Sequence, residues 1–120
     1  MPVPAHGRSP NLVPVLVVNR FQVPEEGAER FRAEIEEAHA ALAERPGYLH
    51  GSIGRNVDDP TLWVLATTWE NVGVYRRALS AYDVKLRAVA LLGRAIEEPS
   101  AYEVVTPEST LNVHAARSTP

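Results

Sequence analysis

The residues that first suggest chemistry are Asn19 and Arg20, which interrupt an otherwise apolar run. The stretch "LVPVLVVNRFQVP" is nearly all Val, Leu, Phe and Pro around them. Because an unpaired buried amide costs about 1–3 kcal/mol, Asn19 should have a fixed partner in the backbone, in water or in a ligand. We favour a ligand. Strand alternation turns Arg20 to the opposite face, where we expect a solvated rim residue or a salt-bridge partner.

Two histidines are further candidates for contact with a substrate. His39 lies beside Ala38, at the margin of an apolar stripe, where a packed or exposed imidazole is commoner than a base. His50 follows "YL" on a strand and faces either a pocket or water. No two His or carboxylate side chains share convincing ligand spacing on one element, and "IEEAH" resembles only half of a metal-binding motif, so we expect no metal.

Composition excludes several function classes. The absence of Cys rules out disulfides, thiolate nucleophiles and Cys-ligated metals, and is compatible with a cytoplasmic protein. The net charge of -3 and the lack of a basic cluster argue against nucleic acid as a partner. No apolar run approaches the roughly 20 residues that span a bilayer, and the N-terminal residues do not form a signal peptide, so we expect no membrane association.

Hydrophobic periodicity divides the chain into alternating strands and helices. Strands are predicted at about 13–22, 48–56, 62–69 and 102–106. Pro24 opens a first helix whose apolar stripe has +4, +3, +4 spacing and ends at Arg45-Pro46-Gly47. The stripe consists of Phe31, Ile35, Ala38 and Leu42.

Two further helices are predicted between the third and fourth strands. Asn71 is a plausible N-cap of a short helix that carries Tyr75 and Leu79 on one face. A longer helix at about 83–96 follows and is ended by Pro99. Its inward residues are expected to be Leu86, Val89, Ala90 and Leu92 or Gly93.

This order of elements, βαββαβ, is that of the ferredoxin-like α+β sandwich. We therefore expect a four-stranded antiparallel sheet with helices on one face. The ordered domain is predicted to cover residues 12–106, with flexible tails at 1–11 and 107–120.

The first and third strands also predict a homodimer. "VPVLVV" and "LWVLA" are apolar on both faces rather than alternating. Helices cover one face of such a sheet, and a second copy of the chain is the simplest cover for the other. Two sheets stacked face to face would form a dimeric α+β barrel.

Several stretches resemble the antibiotic biosynthesis monooxygenase family of dimeric α+β barrels. They are "VLVVNRFQVPEEGAERF", "ERPGYLHGSIGRNVDDPTLWVLATTWEN", "VYRRAL" and "AYEVVTP", which together cover about residues 13–106. The "PG-aromatic" after the first helix and the "WE" closing the third strand are the most family-like pieces. The fold alone does not identify a reaction, because it hosts enzymes, haem degraders and proteins of unknown role.

The cofactor-free, quinone-forming members of this family are the branch that the chain resembles most. They have a Trp at the end of the third strand, a Tyr six residues later and an Arg on the next helix, which match Trp69, Tyr75 and Arg87 here. Their pocket Asn would fall near Leu65, and Asn19 on the neighbouring strand is a possible replacement. The resemblance implies catalytic roles for Asn19, Trp69, Tyr75 and Arg87.

The implied reaction oxidises a small polycyclic phenolic substrate, of anthrone or naphthol type, with molecular oxygen and without a cofactor. Fixed donors would stabilise the substrate anion in a dry pocket. His39, His50, Tyr82 and Leu65 are candidate substrate-binding residues. The alternatives are a ligand-binding or stress-response barrel and a lyase or cyclase on the same fold. Haem degradation is disfavoured because residues 80–94 contain no His to serve as the axial ligand.

Overall fold

The computed structural model describes residues 13–111 and contains one four-stranded antiparallel sheet with its helices. The strands lie in the order β2-β3-β1-β4, which is the ferredoxin-like order expected from the sequence. The strands are β1 (Val15–Gln22), β2 (Tyr48–Arg55), β3 (Leu62–Trp69) and β4 (Ala101–Glu103). The helices are α1 (Ala28–Ala43), α2 (Val72–Ser80), α3 (Tyr82–Arg87) and α4 (Val89–Leu92).

The predicted stripe of α1 is confirmed, and it forms the centre of the core. All four of its members are buried, and α1 begins after a short 3₁₀ turn at Glu25–Gly27. Phe31 packs against Phe21 of β1 and Trp63 of β3, with ring centroids 5.2 and 5.3 Å apart. Removing this apolar area from water is the main source of stability for the fold.

The central strands β1 and β3 have two different faces. On β3, Trp63, Leu65, Thr67 and Trp69 are buried under the helices. Their neighbours Leu62, Val64, Ala66 and Thr68 are only partly covered. β1 pairs with β3 so that Asn19 lies opposite Leu65. The face turned away from the helices is therefore apolar and open in the single chain.

The predicted helix at 83–96 is wrong in both its continuity and its inward face. It is two short helices, α3 and α4, separated at Ala88, whose φ of -131° is not helical. The buried residues are Val84, Ala88 and Leu91, whereas Leu86 is 64% exposed and Val89 and Ala90 are also exposed. Of the predicted inward residues, Leu92 packs partly buried against the core. The segment is apolar on two sides, and packing against α1 selects the side with +4, +3 spacing.

The remaining boundaries differ little from those predicted. β4 is shorter than expected, with three residues. Just before it, the N–H of Val18 donates to the carbonyl oxygen of Ser100 over 2.7 Å. The predicted N-terminal tail, 1–11, lies outside the described residues, as does 112–120 of the predicted C-terminal tail. The domain boundaries at 12 and 106 thus stay predictions.

Candidate functional site

Asn19 lies close to Tyr75 on the helix-covered face of the sheet. It lies between the buried residues Val17 and Phe21 on β1, and its side chain is near enough to the hydroxyl of Tyr75 on α2 to affect the pKa of that group. Burial raises the pKa of Tyr75, and the Asn19 side chain acts in the lowering direction. An amide N–H aimed at the phenol oxygen would act in this direction.

Trp69 forms the wall on which Tyr75 packs. The indole is fully buried, and its ring centroid lies 5.4 Å from that of Tyr75. Its N–H donates to the hydroxyl of Thr67 over 2.8 Å. Trp69 therefore contributes a flat apolar surface, since its one donor is already used inside the protein.

A second polar pair, not predicted from the sequence, continues the row of rings. Tyr48 on β2 packs edge-on against Trp69, with centroids 5.4 Å apart, and its hydroxyl lies 2.7 Å from Nε2 of His39 on α1. Burial lowers the pKa of His39 and raises the pKa of Tyr48. Tyr48 is the aromatic residue of the family-like "PG-aromatic" stretch, and this is the feature of the sequence that points to it. We call Asn19, His39, Tyr48, Trp69 and Tyr75 the inner cluster.

Local turn chemistry positions two members of the inner cluster. Asn71 caps α2, because its Oδ1 accepts from the N–H of Val74 over 2.9 Å, as the sequence predicts. This cap starts α2 at the register that turns Tyr75 inward. Gly47 has φ of 91°, and a Cβ there would collide with Val74. Gly47 therefore lets the chain turn tightly from α1 into β2 just before Tyr48.

Arg87 lies in a different environment from the inner cluster. Its guanidinium is bonded to Glu37 at 2.6 Å, to Asp83 at 3.0 Å and to Glu44 at 3.4 Å. These bonds, first that to Glu37 and then that to Asp83, raise the pKa of Arg87. The structure thus pairs this predicted catalytic cation with three carboxylates.

Arg87 also borders a depression of about 400 Å³ on the outer side of the helices. We call this depression the outer groove. Asn19, Trp69 and Tyr75 are not part of its lining. The outer groove is lined by Ala33, Glu34, Glu37, Leu86, Arg87, Ala90, Leu91 and Arg94.

The candidate substrate-binding residues other than His39 are dispersed. Leu65 is fully buried beneath the helices, opposite Asn19. A register shift between Tyr48 and His50 leaves His50 opposite Thr68, on the open face and exposed. Tyr82 begins α3 and is 76% exposed. The fold therefore joins three of the four predicted catalytic residues, and His39 of the binding residues, in one cluster.

Arg20 is a salt-bridge partner, which is one of the two roles predicted for it. It forms a two-point ion pair with Glu98, with N–O distances of 2.8 and 2.7 Å. The bond to Arg20 lowers the pKa of Glu98, while the bond to Glu98 raises that of Arg20. This pair fastens the segment after α4 to the open side of β1.

Residues 13–111 contain neither a cluster of metal-ligating side chains nor a membrane-spanning helix. Within that range, no three His, Asp or Glu side chains lie together in a way that could hold a metal ion. No helix in the same range has the length and apolar character needed to cross a membrane.

Comparison with known families agrees with the fold and with the motifs around Trp69. The family model described as antibiotic biosynthesis monooxygenase matches residues 14–85, which is more than half of the chain. The chain belongs to the antibiotic biosynthesis monooxygenase family. The match covers all five elements that carry the inner cluster, namely β1, α1, β2, β3 and α2. None of the curated proteins compared with the chain matches it significantly.

Solved structures place this family member among similar folds. SnoaB, a cofactor-independent oxygenase from Streptomyces nogalater, is 26% identical with a TM-score of 0.62, over 82% of this chain and 97% of SnoaB. A protein from Nitrosomonas europaea, provisionally assigned as an antibiotic biosynthesis monooxygenase, is 18% identical with a TM-score of 0.62. The similarity covers 83% of this chain and 97% of that protein. A conserved protein from Methanosarcina mazei is 15% identical, with a TM-score of 0.63 over 77% and 93%. The last two show the fold alone.

Proposed function

We propose that the chain is a cofactor-independent monooxygenase that oxidises a small polycyclic phenolic compound, of anthrone or naphthol type, to a quinone. The observation that carries this proposal is the placement of the Asn19 side chain and the Tyr75 hydroxyl together beside the indole of Trp69. It puts two polar groups next to a flat apolar ring, in a family whose members include oxygenases. Similarity to SnoaB, which is a cofactor-independent oxygenase, supports the same class of reaction.

The inner cluster can promote such a reaction by stabilising the substrate as an anion. The substrate loses its phenolic or enolic proton, and the electron-rich anion then passes an electron to oxygen. The hydroxyl of Tyr75, which lies near Asn19, can donate its O–H to the negative oxygen of the substrate. Donors held in advance in a water-poor site stabilise developing charge more effectively than mobile water does.

The ring of the substrate reaches this cluster from the side of its half-buried members. Trp69 and Leu65 are fully buried, whereas Asn19, His39 and Tyr48 are only partly covered. A planar phenol is therefore expected to approach from the side of these three residues.

Oxygen uptake on a defined substrate tests the reaction class. With anthrone, the wild-type protein is expected to consume one molecule of oxygen for each quinone formed, and to form no quinone without oxygen. Asn19→Ala should reduce the turnover rate, because the hydroxyl of Tyr75 loses its polar neighbour. Product formation without oxygen would instead support a lyase or cyclase, and saturable binding without turnover would support a ligand-binding protein.

The open face of the sheet supports a homodimer as the working unit. Leu16 is 37% exposed, and Val18, Leu62, Val64 and Ala66 are partly exposed on the same face. A contiguous apolar surface of this kind is typical of an interface. With no Cys in the chain, we place this dimer in the cytoplasm.

Sedimentation at micromolar concentration tests the dimer. Wild type should sediment at twice the chain mass of 13.2 kDa. Val64→Arg places a charge in the centre of the open face, beside Arg20, and should shift the protein to the mass of one chain. Val57→Arg is the matched control, because Val57 is 95% exposed in the turn before β3 and its replacement should leave the dimer intact.

A further inference from the structure

The hydrogen bond between His39 and Tyr48 joins α1 to β2 at the edge of the inner cluster. The Nε2 atom of His39 and the hydroxyl oxygen of Tyr48 are 2.7 Å apart, and the two rings are tilted by 56°. The other side of the Tyr48 ring meets Trp69. The pair is thus in direct contact with the wall against which the proposed substrate would lie.

Gly51 provides the space that this bond occupies. A Cβ at Gly51 would lie 2.8 Å from the hydroxyl oxygen of Tyr48 and 2.9 Å from Nε2 of His39. Both distances are shorter than carbon atoms normally approach such groups. A side chain at position 51 would therefore push the two groups apart, and glycine keeps them together over the strand.

Both members of the pair are uncharged at neutral pH. Burial lowers the pKa of His39 and raises that of Tyr48, and desolvation is the cause in each case. Among the residues one turn away from His39 on α1, Glu36 is the ionisable one, and it is paired with Arg32. On β2 the group bonded to His39 is Tyr48 itself. A neutral imidazole nitrogen can accept the O–H of Tyr48, which leaves a lone pair of the phenol oxygen free for another donor.

We propose that Tyr48 and His39 form a proton relay that removes the phenolic proton of the substrate, an inference that rests on the proposed function. The substrate O–H gives its proton to the oxygen of Tyr48, while the hydroxyl proton of Tyr48 passes to Nε2 of His39. The products of this step are a substrate anion and an imidazolium, with Tyr48 unchanged. Oxygen adds to the carbon of the anion, and His39 returns its proton to the outer oxygen of the resulting peroxide. The O–O bond then breaks as the C–H proton of the same carbon joins that oxygen, so one oxygen stays as the quinone carbonyl and the other leaves as water.

Tyr48→Phe and His39→Gln test the relay during turnover. Both variants should lower kcat by about 10²-fold, the usual contribution of a positioned proton acceptor. In wild type, kcat/KM should fall at low pH as His39 becomes protonated, and that fall should vanish in His39→Gln. Tyr102→Phe is the matched control, because Tyr102 is half-exposed on β4 and should keep wild-type rates. A wild-type pH profile in His39→Gln would overturn the relay.

A binding measurement separates failure of the relay from failure of the proposed function. 2-Naphthol is titrated into protein labelled with ¹⁵N in histidine, and the Nε2 resonance of His39 is followed by NMR. The relay predicts a shift in wild type and in Tyr102→Phe that is lost in Tyr48→Phe. Absence of binding at millimolar naphthol, or binding with no change at His39, would overturn it. A shift in protein that consumes no oxygen would keep the relay and reject the monooxygenase.

Discussion

The inner cluster and the outer groove hold the two halves of what the sequence predicts as one catalytic site. In the inner cluster, polar groups are few and neutral and lie in pairs: Asn19 beside Tyr75, and His39 bonded to Tyr48. In the outer groove, Arg87 is charged, partly exposed and bonded to three carboxylates. The difference teaches that a suitable residue type is not enough. A group can act on a substrate only if the fold brings it to the same site, and Arg87 lines the outer groove instead.

Removing the hydroxyl of Tyr75 is the most direct test that the inner cluster, and not the outer groove, is catalytic. Tyr75→Phe keeps the ring contact with Trp69 but deletes the donor that we assign to the substrate anion. Loss of one such donor typically lowers kcat by about 10²–10³-fold. Steady-state oxygen uptake measures the change, and wild-type kcat in this variant would remove Tyr75 from the mechanism.

Truncation of one leucine in each region compares their packing. Leu65→Ala removes a fully buried side chain beneath Asn19 and should lower the free energy of unfolding by about 2–5 kcal/mol. Leu86→Ala alters an exposed side chain of the outer groove and should change it by less than about 0.5 kcal/mol. Urea unfolding of both variants measures the difference, and equal losses would contradict the assigned faces of α3.

Arg87→Gln tests whether the outer groove contributes to catalysis. Because the guanidinium is held by Glu37, Asp83 and Glu44 rather than by the inner cluster, kcat should stay within about twofold of wild type. Any loss of stability should shrink as salt is added, since exposed ion pairs are screened. A 10²-fold loss of kcat with unchanged unfolding would show that Arg87 is catalytic, as the family resemblance implies.

The smallest expected effect is a pH dependence of stability from His39. Its pKa in the folded state lies below the ordinary value of 6.5, so the unfolded chain binds the proton more tightly. The free energy of unfolding should therefore be fully retained above pH 6.5 and fall as the pH drops through the folded-state pKa. His39→Gln should lack this part of the fall in urea titrations from about pH 8 to about pH 5.5. An identical pH dependence in the variant would show that His39 is not buried in this way.

The sheet, α1 and the N-cap of α2 could be predicted because each has one dominant local signal. Phe31 and Ile35 belong to a single stripe bordered by charged residues, and Asn71 is a favoured capping residue. In contrast, the segment containing Val84 and Leu86 is apolar on two sides. Only its packing against α1 decides which side is buried, so periodicity selected the wrong one.

The candidate site was predictable in its residue types and not in its contacts. The need of Asn19 for a partner follows from burial, but the identity of that partner, Tyr75, depends on how α2 crosses the sheet. Tyr48 meets His39 because the register of β2 shifts before His50, and no local pattern announces such a shift. The carboxylates around Arg87 come from α1 and α3 and required the packing of both helices.

The most direct test of the central claim is a crystallographic difference map of the protein with its quinone product bound. The account predicts that the quinone ring lies on the polar side of the inner cluster, with one oxygen within hydrogen-bond distance of the Tyr75 hydroxyl. A quinone found in the outer groove, with an oxygen on Arg87 and the ion pairs to Glu37 and Asp83 opened, would contradict it.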